Sequence, residues 1–497
     1  WQANTPEGEY APVDFYGGTL RGIADRLHYL QKLGVTVLYL NPIFESASNH
    51  RYDTGDYRKV DPILGTNADF KKLCAAAADC GIRIVLDGVF AHTGADSRYF
   101  NRFRHYPGCG AYNSHSSVYA RWYSFAHYPD DYKCWWDFKD LPAVNAANPD
   151  WRKYMITGER SIVKTWLRDG ASGWRLDVAD ELPDDVLRGM RSAAKETDPD
   201  SVLLGEVWED AVTKVSYGER RQYALGDALD SVMNYPLRDG LVAFLTGRST
   251  AHALADLLLS QRLNYPRPLY YALMNLTASH DVARTRSALA LDFDPRSRTR
   301  AELAALEITD AMAARGAQLQ VLAAAVQFWL PGIPSIYYGD ETGMQGLCDP
   351  FNRAPLQMCD TQMLQWYAQL TALRHAHPAL TRGEVAVFAP AGDVLCVLRV
   401  IADGRDAFGE EAEDEALLLI VNRAAHPVRC HVELTCPGAG LCEETRLAFV
   451  RSEYDCAADC TDDTHIAIHD GVGAFDLPPH AAKIYRLENR HGTETGS

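Results

Sequence analysis

The sequence predicts an α/β fold built on a parallel sheet, followed by an antiparallel β-sandwich. Two patterns predict it. Seven short apolar runs alternate with helical patterns, as strands joined by helical crossovers do. After about His377 the helical patterns give way to short strands with turns between them. Near-continuous apolar runs suit strands covered on both faces.

The elements follow in order. The stretch 17–34, GGTLRGIADRLHYLQKLG, reads as one helix: Leu20, Ile23, Leu27 and Leu30 share a face, and Gly34 supplies the stop. The first strand is VTVLYLNP (35–42). A helix over 69–81, again ending on glycine, leads to IRIVLDGVF (82–90). The connection from His92 to about Asp150 is poor in helix and rich in Tyr, Trp and Gly, too long for an ordinary strand–helix loop, and is expected to be an inserted domain. Strands follow at 172–178, 201–208, 229–235, 271–281 and 333–341. An eight-stranded barrel needs one strand more. The polar, turn-rich segment 1–18 resembles a loop after a strand, so either the sheet is open or a first barrel strand lies upstream of Trp1. The C-terminal strands are 394–400, 416–423, 429–435, 465–470 and 482–487, a sandwich of about 110 residues. The acidic stretch 404–416 reads as a solvated loop, and the tail from Asn489 as disordered.

Charge excludes some partners. The 497 residues carry 49 Lys+Arg against 66 Asp+Glu, a net charge of −17, which argues against nucleic acid or an anionic membrane surface. No apolar run reaches the ~18 residues of a membrane span. The twelve cysteines show no C-x-x-C spacing and read as free thiols of a reducing compartment, so a cytoplasmic location is expected. Cys430, Cys436, Cys442, Cys456 and Cys460 lie closest together, where a disulfide or a fortuitous metal site is the alternative.

The chemistry gathers at the C-terminal ends of the strands, the face on which barrel enzymes build their sites. Asp87 and His92 close one run, Arg175 and Asp177 the next; Glu206 follows, then His280 and Asp281. Each alone reads as a cap, a salt bridge or a core histidine. Four strands each ending in a carboxylate read differently, because a buried charge costs several kcal/mol unless it is compensated. In GWRLDVADE (173–181), Arg175 and Asp177 lie two apart and share one strand face. An arginine there would keep the aspartate ionised. Glu206, flanked by Val207 and Trp208, is the better placed to hold a proton. An ionised and a protonated carboxyl about 5–5.5 Å apart are what retaining glycoside cleavage uses.

Four stretches in this order, DGVFAH (87–92), GWRLDVADE (173–181), GEVW (205–208) and SHD (279–281), resemble the signature of the α-amylase family of glycoside hydrolases. The resemblance runs from residue 14 to about 490. It implies a (β/α)8 TIM barrel with an inserted domain after the barrel's third strand and a C-terminal antiparallel β-sandwich, the first strand lying upstream of residue 1. The expected divisions are 1–91 and 151–377 for the barrel, 92–150 for the insert, 378–490 for the sandwich and 491–497 for the tail. It also implies roles: Asp177 as nucleophile, Glu206 as general acid/base, Asp281 as the third acid holding the sugar's 2- and 3-hydroxyls. His92 and His280 would bind hydroxyls, Asp87 would belong to the substrate site, and Arg175 would orient Asp177.

SNHRYDTGDYRKVDPILGT (48–66) and LPAVN (141–145) are similar to the neopullulanase, cyclomaltodextrinase and maltogenic amylase group. That similarity implies that Tyr52 stacks on the sugar, that Trp208 walls the acceptor side, and that Asp349 and Arg353 hold the sugar on the non-reducing side; the alternative for the last two is an i,i+4 salt bridge. The Trp135–Trp136 pair fits either a cleft wall or packing within the insert. Two departures stand out. Ala91 replaces the family's usual asparagine, a ligand of its structural calcium, so that site is expected empty and no cofactor is required. The group's N-terminal β-domain is not seen, and a homodimer is expected only if such a domain lies upstream. The expected activity is retaining hydrolysis of α-1,4, and also α-1,6, bonds in malto-oligosaccharides, cyclodextrins or pullulan. The rivals are an exo-acting α-glucosidase and a non-catalytic barrel serving as a binding partner.

Overall fold

The computed structural model describes residues 15–434, 445–449, 465–469 and 472–489. They divide into two compact units, one up to Met233 and one from Asn234 onward.

The first unit is organised by a parallel sheet of five strands: β1 (Val37–Leu40), β2 (Arg83–Gly88), β3 (Gly173–Leu176), β4 (Val202–Gly205) and β5 (Ser231–Val232). Each strand pairs with the next in sequence, so every connection is a crossover that returns the chain to the same edge. Ile84, Val85, Leu86, Trp174, Leu176 and Leu203 are buried. The single helix expected over 17–34 is two, Leu20–Ala24 and Leu27–Leu33, broken at Asp25 and Arg26. The second ends on Gly34 at φ +85°, a conformation that glycine adopts without a Cβ clash. The helix Asn67–Asp79 opens with a capping box between Thr66 and Asp69.

An antiparallel hairpin, Phe44–Ser46 against Thr54–Val60, was not expected. Its second strand is polar, which hid it. Asp56 is buried there and is satisfied by Arg98 Nη1 at 2.7 Å and Tyr99 Oη at 3.3 Å. The long connection between β2 and β3 holds only short elements, among them a hairpin of Phe125–His127 and Asp131–Tyr132. Its aromatic residues form their own packing: Phe100 meets Tyr132 and Tyr123 at 4.7 and 4.9 Å between ring centroids, and Tyr99 stacks on Trp122 at 5.4 Å.

In the second unit β6 (Met274–Leu276) pairs in parallel with β7 (Ile333–Ser335), and the 20-residue helix Asp310–Trp329 lies between them in sequence. All seven expected strands of the parallel part are therefore present. An eight-stranded antiparallel sheet follows: β8 (Glu384–Ala391), β9 (Val394–Ile401), β10 (Glu415–Asn422), β11 (Val428–Glu433), β12 (Thr445–Phe449), β13 (His465–His469), β14 (Val472–Leu477) and β15 (Ala481–Asn489). Its spatial order is β8-β9-β10-β15-β12-β13-β14-β11. Residues from both ends of that order, Val394, Leu398 and Ile420 with Val432, Phe475 and Leu477, share one core, so the sheet folds back on itself. The sequence showed five of these strands; β8, β12 and β14 are the additions. Cys430 is a buried free thiol, while Cys436, Cys442, Cys456 and Cys460 lie outside the described residues. Among the described residues no helix is long and apolar enough to cross a membrane.

Candidate active site

The site in the first unit starts from strand register. Asp87 on β2 and Arg175 on β3 are direct Cα partners, which puts a carboxylate and a guanidinium side by side at the ends of two adjacent strands. Arg175 Nη1 donates to both oxygens of Asp87, at 2.9 and 3.0 Å, and to Asp177 Oδ1 at 2.9 Å. Its Nη2 lies 2.7 Å from Glu206 Oε2. One fully buried guanidinium thus touches three carboxylates from three neighbouring strand ends. Burial works against the Arg175 charge, but Asp87 and Glu206 outweigh it and hold the group well above the ordinary arginine range.

Asp87 is filled by protein donors: besides Arg175 it accepts Tyr39 Oη–H at 2.6 Å and Tyr52 Oη–H at 2.9 Å. Burial pushes its carboxyl up, and Arg175 with the two hydroxyls pulls it back. Tyr39 was read in the sequence only as part of an apolar strand; a single phenol near the end of VLYL was the available signal. Both phenols are pushed well above their usual range, first by burial.

The chain kinks where β3 ends. Val178 has φ +38°, the left-handed region that a β-branched residue avoids at a cost of about 1–2 kcal/mol. That turn aims the Val178 N–H at Glu206 Oε2, 2.8 Å away. Trp208 Nε1–H donates to Glu206 Oε1 at 3.0 Å. The apolar flanks of Glu206 in sequence do not describe its surroundings, because Val178 and Trp208 donate N–H groups to the carboxyl and the Arg175 guanidinium lies against it as an ion pair. Asp177 and Glu206 are both buried, and Trp208 is about one-third exposed (36%).

His92 Nε2 lies 3.0 Å from the Tyr52 carbonyl. A carbonyl only accepts, so Nε2 carries the proton and Nδ1 has a lone pair. Burial drives the His92 pKa down to about 4, against the pull of the Tyr52 carbonyl and Asp53. The ring stacks on Trp135 at 5.5 Å, and Tyr52 stacks on His50 at 6.0 Å. At the calcium position the Ala91 side chain has no ligand atom, and its carbonyl accepts Val144 N–H at 2.9 Å. No group of three or more His, Cys, Asp or Glu able to hold a metal occurs among the described residues. Ala91 therefore offers that position no side-chain ligand.

In the second unit His280 and Asp281 follow β6. His280 Nε2 lies 3.2 Å from Asp281 Oδ2, and Tyr235 Oη–H reaches the same oxygen at 3.4 Å. Asp349 and Arg353 pair at 3.0 Å, and Arg353 also donates to the His280 carbonyl at 3.1 and 3.2 Å. Buried Asn352 donates to the carbonyls of Ser279 and Val282, pinning the SHD turn from both sides. Tyr235 and Asn352 carried no signal in the sequence, since each works through a backbone or carboxyl group far along the chain.

The model of the α-amylase catalytic domain matches residues 3–359. An amylopullulanase of Thermoanaerobacterium saccharolyticum is 37% identical over 454 residues, 85% of this chain and 34% of that protein. A cyclomaltodextrinase of Geobacillus thermopakistaniensis is 32% identical over 436 residues, 85% of this chain and 64% of that protein. The chain spans only 23% to 34% of the length of three amylopullulanases it matches. Among solved structures, Ttha1563 from Thermus thermophilus superposes with a TM-score of 0.75 at 30% identity, covering 98% of this chain and 94% of that one. A cyclic α-maltosyl-(1→6)-maltose hydrolase from Arthrobacter globiformis gives 0.73 at 28%, covering 96% and 90%. With its parallel strands, its C-terminal antiparallel sheet and its acids at the strand ends, the chain belongs to the α-amylase family of glycoside hydrolases and shares that family's TIM-barrel fold.

Proposed function

We propose that this chain is a retaining α-glucan hydrolase that cleaves α-1,4 and α-1,6 glucosidic bonds in malto-oligosaccharides, cyclodextrins or pullulan. The observation that carries the reading is the Arg175 guanidinium in contact with Asp87, Asp177 and Glu206 at once. The names of the relatives, amylopullulanase and cyclomaltodextrinase, point to the same substrates.

The roles follow from the geometry and the family pattern. Asp177, kept ionised by Arg175, attacks the anomeric carbon and forms a β-glycosyl ester. Glu206 protonates the departing glycosidic oxygen. Its two oxygens each accept an N–H, Oε2 from Val178 and Oε1 from Trp208, which fixes the plane of the carboxyl toward the glycosidic oxygen's side of the site. In the second half Glu206 takes a proton from water, which attacks the same carbon, frees Asp177 and restores the α-configuration. Asp87, with its oxygens bonded to Arg175 and two tyrosines, positions Arg175. His92 accepts a sugar hydroxyl at Nδ1. His280 and Asp281 bind hydroxyls of the sugar, as in the family; Tyr52, Trp208, Asp349 and Arg353 belong to its binding surface. No cofactor takes part, and Ala91 leaves the family's calcium without its side-chain ligand.

The test is incubation with maltotriose, pullulan, β-cyclodextrin and p-nitrophenyl α-glucoside, with Asp177→Asn as control and proton NMR of the first product. Hydrolysis giving the α-anomer, with kcat down by at least about 100-fold in the variant, is expected. Equal activity in the variant, or a β-anomeric first product, would defeat the assignment. Glucose as sole product from every substrate would favour the exo-acting α-glucosidase.

A further inference from the structure

Beyond His92 the aromatic stacking continues outward to the surface. Trp135, stacked on His92, carries Trp136 on its ring, with centroids 5.2 Å apart and planes at 17°. Phe138 stacks on Trp135 at 5.9 Å and 24°. Trp136 is 71% exposed and Phe138 57%. An indole this exposed gains little from burial, so packing within the insert does not account for it.

The backbone beneath Trp136 is strained. Trp136 has φ +46° and Asp137 φ +64°, two successive non-glycine residues in the left-handed region. Hydrogen bonds hold the turn in this form: Trp135 N–H to Leu141 O and Phe138 N–H to Trp135 O, both 2.9 Å, and Ala143 N–H to Lys133 O at 3.0 Å. The indole is therefore presented on a fixed support rather than on a floppy loop. Strain of this kind is a feature of ligand clamps.

The stack begins at His92, a residue of the proposed sugar site. From Glu206 and Asp177 a continuous path of contacts runs through Arg175, Asp87, Tyr52, His92 and Trp135 to Trp136. A flat, exposed indole matches the C–H face of a pyranose ring. We propose that Trp136, backed by Trp135, is a stacking platform for a glucose unit of the glucan outside the unit held at Asp177 and Glu206, so that longer chains are preferred over short ones. The proposal rests on the α-glucan hydrolase reading and names a specificity-determining residue within it.

The experiment compares kcat/KM for maltoheptaose and p-nitrophenyl α-glucoside in wild type, Trp136→Ala and Trp136→Phe. The ratio of the two is expected to fall about fivefold to tenfold in Trp136→Ala, through KM for the heptaose, and to recover in Trp136→Phe. Because the ratio is taken within one preparation, partial misfolding does not imitate the effect. Calorimetric titration of maltoheptaose into Asp177→Asn and into Asp177→Asn/Trp136→Ala reads the platform without turnover, with the same loss of affinity expected. An unchanged ratio and unchanged affinity would overturn the platform and leave the hydrolase reading standing. Absence of turnover in wild type, with heptaose affinity still dependent on Trp136, would overturn the hydrolase reading and support the platform as a glucan-binding element.

Discussion

Arg175 must satisfy three carboxylates with one planar fork, and that geometry decides what can replace it. A lysine ammonium is a point charge that reaches one or two of the three and leaves another buried acid uncompensated. Arg175→Lys is therefore expected to lower kcat by at least about 100-fold while the protein still folds. Steady-state kinetics on maltotriose beside circular dichroism checks this; a folded variant with wild-type kcat would show that the guanidinium does not organise the acids. His92 carries a pH dependence of its own. Its pKa is about 4 in the folded chain, against ~6.5 unfolded. Between those values the unfolded state binds more protons, so stability is full above pH ~6.5 and is lost as pH falls toward 4. The loss from pH 7 to pH 5 is about 1–2 kcal/mol, and His92→Gln should remove it from the pH profile of urea unfolding. Identical slopes in the two proteins would contradict the shift.

At the scale of elements, register does the positioning. Arg175 lies beside Asp87 because β2 and β3 pair in that frame, and β3 in turn lies close against β4. Gly173 makes that approach available: a Cβ there would stand 2.4 Å from the Val202 carbonyl oxygen and 2.9 Å from its nitrogen. Neither is the movable end of a side chain. Gly173→Ala is expected to cost about 2–3 kcal/mol, read as a lower urea midpoint, together with a fall in kcat as Arg175 shifts. A midpoint equal to wild type would mean that the two strands separate at no cost. The seven parallel strands were legible because each is an apolar run between turn residues, and Asp177, Glu206 and Asp281 because they stand at the ends of such runs. The hairpin at 44–60 was not, since Thr54 and Asp56 are buried by pairing rather than by apolarity. β14 escaped for a related reason: VGAFDL alternates faces over only six residues, too short a pattern to stand out beside a glycine.

For the whole molecule, the order of elements and the acids at strand ends were settled by local chemistry, which neighbouring residues in the chain carry. Alternating apolar runs set the parallel strands, the loss of helical periodicity after His377 set the antiparallel sheet, and the charge balance disfavoured polyanionic partners. What the sequence could not contain was which groups meet across long separations. Arg175 was expected to serve Asp177 alone, yet it also holds Asp87, 88 positions earlier, and Glu206. Tyr39 was an apolar strand residue until folding brought its hydroxyl to Asp87. Glu206 seemed to lie among apolar neighbours until the Val178 turn aimed an N–H at it. Periodicity and propensity act between residues a few positions apart and are written in the chain. Hydrogen bonds and ion pairs act over about 3 Å of space, and only the folded backbone decides which distant residues come that close.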